Sequence, residues 1–184
     1  MLVTSAGARS IGTAQPFEVR PLQNAPAGTD FNAVVAFQRE ASELSRRISG
    51  AGAEMGAAGN RLQHMRAALT GTPSADPGLF ARLDALGETL QGLQIRLFGD
   101  RTRQQLNESN VPSIQNRVSR VIRGHWTTRQ TPTATQRRNL DIGGSEFETL
   151  SRDLRALLDG QLADLEAALE AAGAPWTPGR QLPP

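Results

Sequence analysis

The chain has 184 residues, 38% hydrophobic but only 4% aromatic, a net charge of +2, and no Lys, Tyr or Cys. That length can bury one sizeable core, built here from Leu, Val, Ile, Met and Ala, while the sequence pI of 10.7 reflects the lack of any group titrating between His and Arg. The missing cysteine excludes disulfides, thiolate catalysis and cysteine-based zinc sites, and so small a net charge does not mark a general nucleic-acid binder.

The chain opens with MLVTSAGARSIGTAQPFEV, which lacks a charged start followed by an apolar run. No stretch approaches the roughly eighteen apolar residues of a membrane helix, so the chain reads as soluble. Residues 1–29, rich in Gly, Ala, Ser, Thr and Pro, read as an extended tail. Their one strand-like run, Pro16 to Leu22, is bounded by prolines that would confine it to an edge. It suggests the remnant strand of a missing preceding domain.

Asp30 is a good N-cap for a first helix. From Val34, the residues Phe37, Ala41, Leu44, Ile48, Ala51, Met55, Ala58, Leu62, Met65 and Leu69 alternate by three and four. Sustained over about five heptads, that seam is a strong helix signal. Gly50, Gly52, Gly56 and Gly59 occupy its middle, each costing about 1 kcal/mol relative to Ala. Gly52, Gly56 and Gly59 share one face, which predicts close approach by a neighbouring backbone or side chain; a break of the helix is the alternative. Thr70-Gly71-Thr72-Pro73 ends the element.

Asp76-Pro77 opens a second helix, with Asp as N-cap and Pro at the first helical position. Leu79, Leu83, Leu86, Leu90, Leu93 and Leu97 form its seam, and Gly99 closes it. Residues 100–111 read as a polar connection. A third helix is expected from about Ser113 to Trp126, with Ile114, Val118, Val121 and Ile122 on one side and Arg117, Arg120 and Arg123 exposed on the other. The last helix begins near Thr133, where Thr-x-x-Gln to Gln136 fits a capping box. It carries Leu140, Phe147, Leu150, Leu154, Leu158, Leu162, Leu165 and Leu169 and stops at Gly173 and Pro175.

At about 1.5 Å per residue the first and last helices would each span roughly 60 Å, and the two shorter ones together would match one of them. The expected fold is therefore all-α: an elongated antiparallel helical bundle over residues 30–176. Two long helices flank a middle column broken at residues 99–112, with tails at 1–29 and 177–184.

The chemistry-bearing residues crowd into residues 99–138, which hold His125, Trp126 and eight arginines. As general base or metal ligand, His125 would need a partner at fixed geometry. The other histidine, His64, lies on a different helix, and no HExxH pattern occurs. Ser113 lacks nucleophile-elbow glycines, and Gly143-Gly144 lack the Lys-Ser/Thr of a phosphate loop. No catalytic, cofactor-binding or metal-ligating residue is therefore assigned, and a hydrolase working through Glu108 and His125 ranks last.

Residues 101–138 hold eight arginines against one acid, Glu108, whereas residues 139–172 hold eight acids against two arginines. Local balances of about +7 and −6 in adjacent columns predict an internal seam. It would set Arg117, Arg120 and Arg123 against Asp141, Glu146 and Glu148, in preference to a phosphate-binding stripe. Trp126 and Trp176 are expected to plug the two ends of the bundle.

The runs GDRTRQQLNESNVPSIQNRVSRVIRGHW, TPTATQRR and ADLEAALEAAGAPWTPGR resemble the C-terminal helical region of large bacterial sortilin-like proteins. Those proteins carry BNR (Asp-box) repeats and are often labelled glycosyl hydrolases. The resemblance covers residues 30–180, and SIGTAQPFEVRPL at 10–22 looks like the final strand of the domain preceding the helices. In that family the repeats form β-propellers, to which any glycosidase or ligand-binding role would belong. This chain has no Ser-x-Asp-x-Gly-x-Thr-Trp box, so no catalytic residue carries over.

The resemblance implies a non-enzymatic accessory or interaction module that docks on a propeller or a protein partner. It also implies a family that is usually exported, and hence extracellular or periplasmic. Asp100, Arg101, Arg103, Asn107, Glu108, Ser113, Arg117, Arg120, Arg123, His125 and Trp126 are then candidates for interaction or for bracing the break in the middle column. A homo-oligomer is compatible with this reading. Binding of nucleic acid or another anionic polymer through residues 117–123 is the alternative.

Overall fold

Residues 2–4, 7–9, 12–13, 15–18, 28–128 and 130–179 are described in a computed structural model, and helices dominate among them. The tail holds a small hairpin that no pattern in the sequence announces. In it β1 (Leu2–Thr4) and β2 (Gly7–Arg9) pair antiparallel, with Leu2 opposite Arg9 and Val3 opposite Ala8. Of the run expected to be strand-like, Pro16, Phe17 and Glu18 form no strand, and residues 19–22 lie outside the described residues.

The first helix, α1 (Phe31–Thr70), runs unbroken for 40 residues, roughly 60 Å. Asp30 Oδ1 starts it by accepting from the backbone N–H groups of Asn32 and Ala33 at 3.0 and 3.1 Å. The predicted seam is the buried stripe, from Val34 and Phe37 to Met65 and Leu69. The glycine face receives a side chain at one point: a Cβ on Gly52 would lie 2.7 Å from Cζ of Phe98. Gly59 makes only an ordinary contact with Leu90, and Gly56 faces open space.

Asp76 Oδ1 accepts from the Gly78 N–H at 2.8 Å, so α2 (Gly78–Phe98) begins one residue past Pro77. It returns antiparallel along the far half of α1, with Phe98 at Gly52, Leu90 at Gly59 and an Arg66–Asp84 ion pair nearer the turn. The polar connection is not plain loop. It contains a one-turn helix, α3 (Arg101–Gln105). The middle column resumes in α4 (Ile114–Trp126), which covers the near half of α1.

The last column comprises α5 (Ala134–Arg155), a π-helical turn (Ala156–Leu162) and α6 (Ala163–Ala171). The predicted capping box is formed: Gln136 N–H donates to Thr133 Oγ1, and Thr133 N–H donates to Gln136 Oε1. Against α1 this column runs parallel, with Arg137 over Phe37 and Arg47 over Phe147. The π turn changes which leucine enters the core. Leu157 is buried and Leu158 only partly so, the reverse of the regular-helix expectation, because the wider turn inserts a residue into the repeat. At the far end the N–H groups of Gly173 and Ala174 donate to the carbonyls of Glu170 and Leu169. Gly173 has φ +74°, so this is a Schellman ending.

The topology is thus up, down, up, with leucines from all three columns meeting along one axis. The tryptophans do not plug its ends. Trp126 is 57% exposed and Trp176 39%. His125, 2% exposed, closes the end near the start of α1, its ring edge-to-face with Phe37 at 5.1 Å. Beyond α6 it is Thr177 that is buried, and Gly179 lies against the side chain of Arg61.

Candidate interaction site at the column break

The break is built by five local devices. Gly99, at φ +93°, turns the chain out of α2. Asp100 Oδ1 then caps α3 by accepting from Thr102 and Arg103 N–H at 2.9 and 3.2 Å. Asn107, at φ +54° and the one described non-glycine residue with positive φ, ends α3. There the Glu108 N–H donates to the Arg103 carbonyl and the Asn107 N–H to that of Gln104, another Schellman arrangement, with Asn accepting the left-handed position. Finally the Asn110 side chain donates to the Asp100 carbonyl at 3.1 Å. Ser113 Oγ, buried, starts α4 by accepting from Asn116 N–H at 3.2 Å.

This connection separates two grooves. One, of about 590 Å3, is bordered by Ile95, Arg96, Asp100, Arg103, Val111 and Glu146. The other, of about 510 Å3, contains Phe98, Arg101, Pro112 and Arg120, with Val111 again on its border. The Arg103 guanidinium lies 3.7 Å from Asp100 on the first side. The Glu108 side chain is exposed beside the connection.

The expected charge seam is reduced to one pair. Arg117 Nε lies 3.3 Å from Glu146 Oε2, without the alignment of a hydrogen bond. Among the described residues Arg120, Arg123, Asp141 and Glu148 form no ion pair. The reason is helical geometry. At about 100° per residue, positions 117, 120 and 123 sweep some 120° around α4 and cannot all face one neighbour. The antiparallel register, with Val118 at Gly143 and Gly124 near Gln136, puts Arg117 alone against α5. Its side chain is only 19% exposed, so the three arginines do not share an open face either. Other column interfaces use different arginines: Arg61 with Glu166, Arg66 with Asp84, and Arg96 with Asp153 at 2.6 Å.

His125 lies in the last turn of α4, roughly 16 Å along the axis from its first residue, whereas Glu108 precedes that helix on the connection, so the two are not brought together. Its Nε2–H donates to the Gln130 carbonyl at 3.0 Å, and its Nδ1 accepts from the Gln38 side-chain amide at 3.4 Å. Both nitrogens are engaged. Trp126 instead borders a shallow groove of about 480 Å3 with Val35, Arg39, Glu43 and Arg46. Within it the Arg46 hydrogen bond holds the Glu43 carboxyl below its ordinary range. Among the described residues no three His, Cys, Asp or Glu side chains gather as metal ligands, and no helix is long and apolar enough to cross a membrane.

Sequence reasoning overlooked Leu106 and Val111, respectively 64% and 78% exposed, together with Phe98 and Gln104. A usable signal existed: an Asp N-cap at 100 followed by five helix-compatible residues, then Leu106 and a left-handed-tolerant Asn107, spells one helical turn. No family model, curated protein or solved structure matches the chain.

Proposed function

We propose that the chain is a non-enzymatic helical interaction module that presents its column break to a protein partner. The observation carrying this is the exposed apolar surface there. Every helical seam buries its leucines, yet Ile95 and Val111 are left exposed on one groove and Leu106 on the same connection, and exposed apolar surface of this kind marks binding sites. The full occupancy of both His125 nitrogens supports a structural role for that residue over acid–base work.

On the sequence resemblance, the module is the C-terminal part of a bacterial sortilin-like BNR-repeat protein, and its first partner is the propeller of that protein. The coding sequence upstream tests this half of the proposal. Asp-box repeats in the same frame are expected; an upstream frame without them removes the propeller as partner.

One observation favours a second reading, an anionic-polymer binder: Arg120 and Arg123 have no ion pair among the described residues. Retention on heparin or duplex DNA separates the two. A protein-docking module should elute at low salt. Retention that falls steeply with salt and disappears in Arg120→Ala/Arg123→Ala would make the polymer the ligand.

A further inference from the structure

The groove on the Arg120 side of the break carries charge of one sign. Arg101 and Arg120 border it, amide groups of Gln104, Gln115 and Asn116 add donors, and no Asp or Glu enters its lining. Neither arginine forms an ion pair among the described residues, whereas Arg96, Arg103 and Arg117 on the other side are matched by Asp153, Asp100 and Glu146. A carboxylate entering this groove would meet two guanidinium groups without an internal competitor, and such charge-assisted bonds are roughly twice as strong as neutral ones.

The second observation is the apolar edge. Val111 borders both grooves and is 78% exposed, so residues 109–112 form a ridge with Val111 on its crest. Phe98 and Pro112 continue the apolar lining on the Arg120 side, and Leu106 projects from the same connection. A phosphate backbone gains nothing from covering an aliphatic crest. A protein segment with aliphatic side chains gains about 25 cal/mol for each Å2 of apolar surface removed from water. The ridge is also held in place before any partner arrives, by the Asn110–Asp100 hydrogen bond and the turn at Asn107, which lowers the ordering cost of binding.

We infer that the column break docks an acidic segment of a partner protein, with carboxylates against Arg101 and Arg120 and an aliphatic side chain against Val111. This rests on the interaction-module reading and specifies the partner's chemistry.

A random-peptide display library panned on the whole chain tests it. The enriched consensus peptide is then labelled and titrated by fluorescence anisotropy. Enriched sequences should combine Asp or Glu with Leu, Ile or Val. Arg101→Ala/Arg120→Ala should weaken binding at least about tenfold, and Val111→Ser about threefold or more. All three residues are exposed, and circular dichroism of each variant verifies that it folds. Enrichment of peptides without acids, or unchanged affinity in the arginine double variant, overturns this site while leaving the module reading intact. Absence of any saturable peptide overturns both. Tight duplex-DNA binding that is lost in the double variant and unaffected by Val111→Ser replaces the protein segment with a polyanion.

Discussion

Alanine at the α1 glycines should separate open helix surface from a true contact. At Gly50 and Gly56 an added Cβ meets nothing within 4 Å. Each substitution should therefore express the intrinsic helix preference, a gain of about 1 kcal/mol. The two sites share no neighbour, so their effects should add. At Gly52 the same methyl would lie 2.7 Å from Phe98 Cζ, against a normal carbon–carbon separation of about 3.5–4.0 Å. The ring must withdraw by about 1 Å, and overpacking of this kind costs about 1–3 kcal/mol. Gly52→Ala should thus range from neutral to about 2 kcal/mol destabilising. Urea unfolding at constant m gives the comparison, and Tm should move by about 2–4 °C per kcal/mol in a chain of this size. In a Phe98→Ala background the obstacle is gone and Gly52→Ala should recover its 1 kcal/mol, approximately. If Gly52→Ala stabilises the wild-type chain as much as Gly56→Ala does, Phe98 is not packed into α1 and the reasoning is wrong.

Three other outcomes follow from the packing. Leu157→Ala should cost about 2–5 kcal/mol and Leu158→Ala distinctly less; denaturation midpoints in the opposite order would mean that residues 156–162 form an ordinary α-helix. A double-mutant cycle on Arg117 and Glu146 should show coupling of about 0.2–1 kcal/mol, as for a solvent-screened pair, while the Arg120–Glu146 cycle should show none. His125→Ala removes the edge contact with Phe37 and strands the Gln130 carbonyl, so it should cost about 3 kcal/mol in thermal or urea unfolding. His125→Phe, which restores volume but no donor, should regain only part of that loss.

The long helices were legible because their seams step by three and four throughout, and because Asp30, Ser113 and Thr133 carry side chains that satisfy the first free N–H groups. His125 shows how residue type can obscure a clear pattern. Ile114, Val118, Val121 and His125 continue one seam, a spacing that would place residue 125 in the core; the apolar character of tryptophan instead led to the expectation that Trp126 plugs the end. The charge seam failed for a related reason, since local charge totals contain no angular information. At the break, the candidates Asp100, Asn107 and Ser113 could be read from their preferences for caps and left-handed turns. The grooves could not, because they arise where Phe98, Val111 and Arg120, from separate segments, meet only after α2 and α4 have both packed on α1.

The π turn leaves a trace in the length of the chain itself. Buried positions in the last column run Leu140, Gly143, Phe147, Leu150, Leu154 and Leu157, in steps of three and four. The next interval, to Leu162, is five, after which Leu165 and Leu169 resume the alternation. One residue is therefore supernumerary to the repeat, and Gly160, with nothing within 4 Å of an added Cβ, is the one whose loss disturbs least. Deleting Gly160 would restore an uninterrupted three-four frame while every buried leucine kept its place. The variant should unfold at an unchanged or higher midpoint; a large drop would show that the turn has a packing role of its own. In a helix of fixed phase a one-residue length change would rotate everything beyond it by about 100°. Here the hydrogen-bond ladder takes up that change within two turns, so Leu162, Leu165 and Leu169 keep facing the core.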